Sequence, residues 1–110
     1  MRRAARTDAS HKAIVSALRK VGCQVADTSQ LGGGFPDLVV RIPLASAARL
    51  LPPSQWLLAK PEIVLMEVKT ARGKLNAEQQ AFIACWPETR VVRSIGEALA
   101  VCGIYAKKTP

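Results

Sequence analysis

One short segment near the middle of the chain, Ile63 to Lys69, is apolar except where it ends. Its residues are Ile-Val-Leu-Met-Glu-Val-Lys, and apolar side chains on both alternating faces predict a buried strand. Successive strand side chains point to opposite faces, so Glu67 and Lys69 share one face with Ile63 and Leu65. Burying an unpaired charge costs several kcal/mol or more, so these two charges need a chemical reason.

A second apolar strand, Leu38 to Ile42, is predicted directly after Pro36 and Asp37. An acid at the edge of one strand, with an acid and a lysine two residues apart on another, has the composition of a minimal Mg²⁺-dependent phosphodiester-cleaving site. Two alternatives remain open. An aspartate after a glycine-rich loop is common turn chemistry, and Glu67 with Lys69 can be a simple ion pair on one face.

The hydrophobic patterns predict one α/β domain over residues 1–110 with the element order αβββαβα. The three early strands are expected to form a meander, and the fourth to return after a helix. Residues 43–61 are expected to be an insertion, with a short helix first and then either a helical turn or an extended flap. The predicted elements are helix 8–21, strands 23–28, 38–42 and 62–69, helix 77–86 capped by Asn76, strand 90–92, and a last helix from 95 or 96 to 101.

The charge balance of the chain is strongly basic, with sixteen lysines and arginines against eight acids and a net charge of +8. This balance suits a polyanionic partner, because each neutralised phosphate releases counterions. The alternative is that basic side chains simply keep a small apolar domain soluble.

The cysteines and the lengths of the apolar runs bear on the cellular environment. Three widely spaced cysteines match neither a zinc site nor a secreted disulfide framework, and no apolar run reaches the roughly 20 residues that span a bilayer. We therefore expect a cytoplasmic protein with reduced core thiols. No membrane partner and no small-molecule cofactor are expected.

Several further polar residues have two interpretations each. Gln79 shares a helical stripe with apolar residues, so it is either a satisfied core amide or a side chain that reaches the acidic cluster. Asp8 is interpreted as a helix N-cap, with a third acid of the metal site as the alternative. His11 is interpreted as a surface residue rather than a phosphate contact. Arg72 and Lys74 flank the proposed site and are the candidate phosphate contacts.

Three motifs taken together resemble the PD-(D/E)XK nuclease superfamily and, within it, the VRR-NUC family, especially its small stand-alone proteins from phages and bacteria. The resemblance covers nearly the whole chain. It implies a restriction-endonuclease-like αβββαβ core with a mixed central sheet flanked by helices, plus a C-terminal helix. The motifs are Gly32-Gly33-Gly34-Phe35-Pro36-Asp37, Glu67-Val68-Lys69 and Leu75-Asn76-Ala77-Glu78-Gln79.

The resemblance also implies roles for individual residues. Asp37 and Glu67 would bind Mg²⁺ or Mn²⁺, with the backbone carbonyl of Val68 as a further ligand. Lys69 would serve the attacking water, and Gln79 would support the site. The family often has an acid on its first helix, and Asp8 is the nearest match to it in this chain.

By the same resemblance, the chain is expected to be a metal-dependent DNA endonuclease acting on branched or double-stranded DNA. Stand-alone relatives are similar to homodimeric Holliday junction resolvases, in which two sites cut opposing strands. The alternatives are a non-catalytic DNA-binding module, or a nuclease subunit of a larger phage or restriction assembly. The insertion at 43–61 would cover the core, form a dimer interface or wedge against a DNA branch.

Overall fold

The computed structural model of the chain describes residues 9–104, and the elements in that range follow the predicted order. The predicted bounds agree with the observed ones to within two residues for each strand and for the longer helices. The elements are α1 (Ala9–Lys20), β1 (Gln24–Asp27), β2 (Leu38–Ile42), α2 (Leu44–Ala48), a 3₁₀ helix (Pro53–Leu58), β3 (Glu62–Val68), α3 (Ala77–Cys85), β4 (Arg90–Val92) and α4 (Ile95–Val101).

The four strands form one mixed sheet in the order β1-β2-β3-β4. The first three strands are antiparallel neighbours, and β4 runs parallel to β3 after the crossover through α3. A parallel return needs a long connection, which the α3 segment supplies. The predicted α/β class, with a restriction-endonuclease-like mixed sheet flanked by helices, is confirmed.

The hydrophobic core lies on one face of the sheet. Alternate side chains of β2 and β3, such as Val40 and Met66, point to this face and pack against α1 and α4. In α1, Ile14, Val15 and Leu18 recur at helical spacing, so one stripe of the helix is buried. The buried apolar cluster consists of Ile14, Val15, Leu18, Cys23, Leu38, Val40, Ile42, Ala47, Met66, Val92, Ala98 and Cys102.

The expectation that β3 is buried on both faces was wrong for its first half. Burial increases along the strand, and Ile63 is 60% exposed while Leu65 is half-buried. These two residues point away from the face on which Met66 joins the core, so the core helices give them less cover. Both faces of β3 are enclosed only at Met66 and Glu67, which are buried on the core face and on the opposite face respectively.

The insertion at 43–61 is divided into two parts by Pro52 and Pro53. Its first part contains α2, which buries Ser46 and Ala47 and therefore covers part of the core. Its second part is the 3₁₀ helix, where none of the residues is buried and Leu57 is fully exposed. A proline at the first helical position suits this start, because the N–H that it lacks would have no partner there.

The cysteine prediction was right for two of the three residues. Cys23 and Cys102 are buried, and burial together with the neighbouring Cys23 raises the pKa of the Cys102 thiol to about 12. Such thiols stay protonated and unreactive. Cys85 is exposed, because α3, on which it lies, buries none of its residues. Among residues 9–104, no helix is both long enough and apolar enough to cross a membrane.

The glycine-rich loop before β2 contacts the first turn of α3, and this contact can be tested. Gly34 has a φ of 85°, and a Cβ atom there would overlap the backbone carbonyl of Glu78. Gly33 has a φ of 65° but nothing within 4 Å of its Cβ position. We expect Gly33→Ala to cost about 1 kcal/mol through backbone strain, and Gly34→Ala about 2 kcal/mol more through the added overlap.

Urea unfolding of both variants measures these costs. The two substitutions share the positive φ and differ in their surroundings, so Gly33→Ala is the matched control. Equal losses of stability would mean that the loop moves away from α3 at no cost.

Candidate active site

The strand register brings the two predicted acids together. Leu38 pairs with Met66 across β2 and β3, so the next opposed positions outward are Asp37 and Glu67. Side chains of directly opposed residues lie on the same face, with their Cβ atoms about 5 Å apart. Because Leu38 and Met66 point into the core, the two acids point to the opposite face.

Asp37 is fixed by hydrogen bonds to two neighbouring strands. Its Oδ2 accepts a hydrogen bond from the backbone N–H of Val68 at 2.9 Å. Its carbonyl oxygen accepts one from the backbone N–H of Thr28, directly after β1, at 2.7 Å. The N–H and C=O of a strand residue face the same neighbouring strand, so the Val68 carbonyl points to the side on which Asp37 lies.

Glu67 is a buried carboxylate, only 3% exposed, with three polar groups around it. Its Oε2 accepts a hydrogen bond from Gln79 Nε2 at 2.7 Å and lies 3.6 Å from Lys69 Nζ. The pKa of Glu67 is raised from 4.5 to about 7, first by burial and then by the charge and hydrogen bond of Asp37, while Lys69 acts against the rise. The two carboxylates therefore repel each other, and a bound cation would relieve this repulsion.

Gln79 reaches the acidic cluster, which decides between its two interpretations. Its Oε1 accepts a hydrogen bond from the backbone N–H of Asn76 at 2.9 Å, and Asn76 Oδ1 accepts one from the backbone N–H of Gln79 at 2.8 Å. This reciprocal pair is a capping box at the start of α3. A backbone N–H can only donate, so the carbonyl oxygen of the Gln79 amide faces Asn76 and its NH₂ group faces Glu67.

A cleft of about 820 Å³ opens over these side chains. Its walls are the start of α1, the loop at 29–35, the end of β3 with the turn after it, and the first turn of α3. Lys69 and Lys74 line the cleft, so Lys74, one of the two predicted phosphate contacts, lies in the same cleft as the acids. Arg72, the other predicted contact, is exposed and lies outside the lining.

The interpretation of His11 as a surface residue was wrong. His11 is 6% exposed, lines the cleft, and its Nε2 lies 3.0 Å from Asp27 Oδ2. The physical reason is that His11 begins the same helical stripe as Ile14, Val15 and Leu18. That spacing is the sequence signal that would have indicated its burial.

Asp27, at the end of β1, is the acidic partner of this histidine. Burial would raise the pKa of Asp27, but hydrogen bonds from Ser29 and from His11 outweigh burial and hold it below its usual value. Asp27 is therefore a stable anion next to the cleft. Asp8, predicted as an N-cap or a third acid, lies outside the described residues.

The donor atoms at the acidic cluster suit a hard divalent cation. Two carboxylates, from Asp37 and Glu67, and the Val68 carbonyl are all oxygen ligands, and Mg²⁺ typically takes one or two carboxylates with water and phosphate completing an octahedron. Within residues 9–104, no three side chains of His, Cys, Asp or Glu are grouped closely enough to share a metal. The residues present thus fit a cation that keeps several sites for water and substrate.

The sequence was also compared with known proteins. The model of one family, the VRR-NUC domain, matches residues 2–93, which include the acids, Lys69 and Gln79. Neither the comparison with curated proteins nor that with solved structures gave a match. The family match confirms the resemblance to the VRR-NUC family that the three motifs indicate.

Proposed function

The chain belongs to the VRR-NUC domain family, and we propose that it is a Mg²⁺- or Mn²⁺-dependent endonuclease that hydrolyses phosphodiester bonds in DNA. Membership of the family implies a nuclease that acts on DNA. The observation that carries the proposed metal-dependent mechanism is the convergence of Asp37, Glu67 and Lys69 in one cleft. A mutually repelling acid pair beside a lysine has little structural benefit, whereas it suits a site that binds a cation and phosphate.

Each side chain has a role in this proposal. Asp37, Glu67 and the Val68 carbonyl would hold the cation, which when bound supplies an activated water and neutralises charge on the phosphate. Lys69, with its ammonium 3.6 Å from Glu67, orients the attacking water and stabilises the developing charge. Gln79 keeps the Glu67 carboxylate oriented through its hydrogen bond at 2.7 Å.

Basic residues around the cleft supply the affinity for DNA. The net charge of +8 favours a polyanion without selecting a sequence. We propose that Lys74, which lines the cleft, contacts a phosphate beside the scissile one. Arg72, exposed on the neighbouring turn, would contact the backbone further out.

We further propose that the enzyme is structure-selective and acts on Holliday junctions as a homodimer. Two copies related by a two-fold axis suit a four-way junction, because their sites can cut opposing strands. Support for a second copy comes from the 3₁₀ helix Pro53–Leu58, whose apolar side chains Trp56, Leu57 and Leu58 are exposed. Exposed apolar side chains grouped in this way are typical of interaction surfaces.

Cleavage of end-labelled DNA tests the proposal and its alternatives. Four-way junction, flap and linear duplex substrates are each incubated with Mg²⁺, with Mn²⁺ and with EDTA. We expect metal-dependent cleavage with symmetric cuts in the junction, and a dimer by gel filtration. DNA binding without cleavage in any metal would favour a non-catalytic module, and activity only with a co-purified partner would favour a subunit of a larger assembly.

Replacing Gln79 by glutamate tests its role at Glu67. The new carboxylate can still accept the hydrogen bond from the Asn76 N–H, but it presents a negative charge where Gln79 donates to Glu67. We expect cleavage to fall about 10- to 100-fold, as for other residues that orient metal ligands. The pH profile of cleavage should also move upward, because a third carboxylate raises the pKa of Glu67 further.

Gln80→Glu is the matched control for this experiment. Gln80 is exposed, and its amide donates to the Leu75 carbonyl instead of to the acidic cluster. The Gln80→Glu variant adds the same charge to the same helix, but not at the acidic cluster. We therefore expect it to leave the pH profile of cleavage unchanged. Equal losses of cleavage in both variants would show that the added charge on α3 reduces cleavage, and not the loss of the hydrogen bond from Gln79 to Glu67.

A further inference from the structure

Arg93, directly after β4, connects two parts of the chain that are distant in sequence. Its Nη1 donates to the carbonyl oxygen of Thr70 at 2.8 Å and to that of Gly73 at 2.6 Å. Its own backbone N–H donates to Glu97 Oε1 at 2.7 Å, which anchors it to the first turn of α4. One guanidinium nitrogen thus ties the turn at 70–73 to the junction between β4 and α4.

The turn held by Arg93 leads directly into a cleft residue. The Gly73 N–H donates to the Thr70 carbonyl at 3.1 Å and closes the turn, with Ala71 and Arg72 exposed at its tip. The Gly73 carbonyl belongs to the planar peptide that joins Gly73 to Lys74. Fixing that carbonyl therefore fixes the direction in which Lys74 leaves the turn and enters the cleft lining.

The Arg93 guanidinium forms no ion pair within the described part of the chain. The ion pairs there are His11 with Asp27 and Lys69 with Glu67, so no described carboxylate lies within 4.0 Å of the Arg93 guanidinium. Arginine stays protonated at all relevant pH values. A half-buried arginine bonded to two neutral carbonyls therefore adds a fixed positive charge beneath a turn that already carries Arg72.

We propose that Arg93 is a positioning residue for DNA binding, which holds the turn at 70–73 so that Lys74 meets a DNA phosphate in the cleft. This inference rests on the proposed function and adds a residue to it. Arg93 acts through Lys74, since its side chain is engaged by the turn and does not line the cleft. Its removal should weaken substrate binding and leave the chemical step intact.

A double-mutant cycle between Arg93 and Lys74 tests the inference. Binding of a fluorescent duplex in EDTA is measured over a salt series for Arg93→Gln, Lys74→Gln and the double variant. We expect each single variant to weaken binding about tenfold. The slope of log K against log salt should also become shallower, by about the amount that one phosphate contact contributes. The double variant should bind no more weakly than Lys74→Gln, because both changes remove the same contact.

Two further arginine variants separate geometry from charge. Arg93→Lys keeps the charge but loses the planar fork, so it should behave like Arg93→Gln. Arg90→Gln removes an exposed charge from β4, the strand that Arg93 follows, and should change affinity no more than about twofold, since loss of an exposed charge has little effect. Additive losses in the cycle, or a wild-type slope in Arg93→Lys, would overturn the positioning role.

Steady-state cleavage distinguishes this inference from the proposed function. With Mg²⁺, Arg93→Lys should raise KM about tenfold with kcat within about twofold, the pattern of lost uniform binding. Thermal melts identify a temperature at which all variants are folded, and binding is measured there. If the wild type neither binds nor cleaves DNA, the proposed function fails. If the wild type does both and the Arg93 variants match Arg90→Gln, the positioning role alone fails.

Discussion

Replacing Asp37 by asparagine is expected to abolish DNA cleavage while leaving DNA binding intact. The asparagine retains an oxygen that can accept the hydrogen bond from the Val68 N–H, so the loop before β2 should keep its position. The lost charge leaves Glu67 as the remaining carboxylate for the cation. Since metal stabilisation of the transition state is worth several kcal/mol, we expect a loss of about a thousandfold or more.

The same outcome is expected for Glu67→Ala and Lys69→Ala, since each removes another part of the proposed chemistry. Single-turnover cleavage measures the rate, and fluorescence anisotropy measures binding separately. Glu88→Gln is the control, because it removes one charge from an exposed acid outside the cleft. Full activity in any of the three variants would remove that residue from the mechanism. Loss of binding together with cleavage would instead indicate a damaged fold.

The elements of this fold were predictable because their signals are local. The strand Leu38–Ile42 has its predicted bounds, and Asn76 caps its helix as expected. Proline, glycine and capping residues mark these boundaries within a few positions of the chain. The convergence of Asp37 with Glu67 was anticipated from residue types, but its geometric cause is the antiparallel register, which no local pattern specifies.

The contacts that were missed join residues far apart in sequence. His11 meets Asp27 at the cleft, and Arg93 meets Thr70 and Gly73. Both depend on how β1 and β4 lie beside their neighbours, so the sequence offers an isolated histidine or arginine and no partner. Ile63 was expected to be buried but is exposed, because an apolar strand does not reveal which of its faces the helices will cover.

Glu67 is predicted to destabilise the folded protein at neutral pH, in opposition to its role in cleavage. Its pKa is raised from 4.5 to about 7, first by burial and then by Asp37, so the folded state holds the proton more tightly than the unfolded state. The stability that comes from protonation of Glu67 is therefore fully present below pH 4.5 and is lost as the pH rises through 7. At 1.4 kcal/mol per pKa unit, the loss amounts to about 3 kcal/mol.

Glu67→Gln should remove this pH dependence, because its neutral amide can accept from Gln79 and donate to Asp37, as a protonated Glu67 would. In EDTA, we expect the variant to be more stable than the wild type by about 3 kcal/mol at pH 8, with a melting temperature about 10 °C higher, and the two to be equal near pH 4. Urea unfolding across this range measures the difference, and Glu88→Gln serves again as the control. Adding Mg²⁺ at pH 8 should stabilise the wild type and not the variant, because a cation relieves the repulsion between two ionised acids. A wild-type stability that stays constant or rises relative to Glu67→Gln between pH 5 and 8 would show that the acid pair is already relieved within the protein, and the case for a cation between Asp37 and Glu67 would fail.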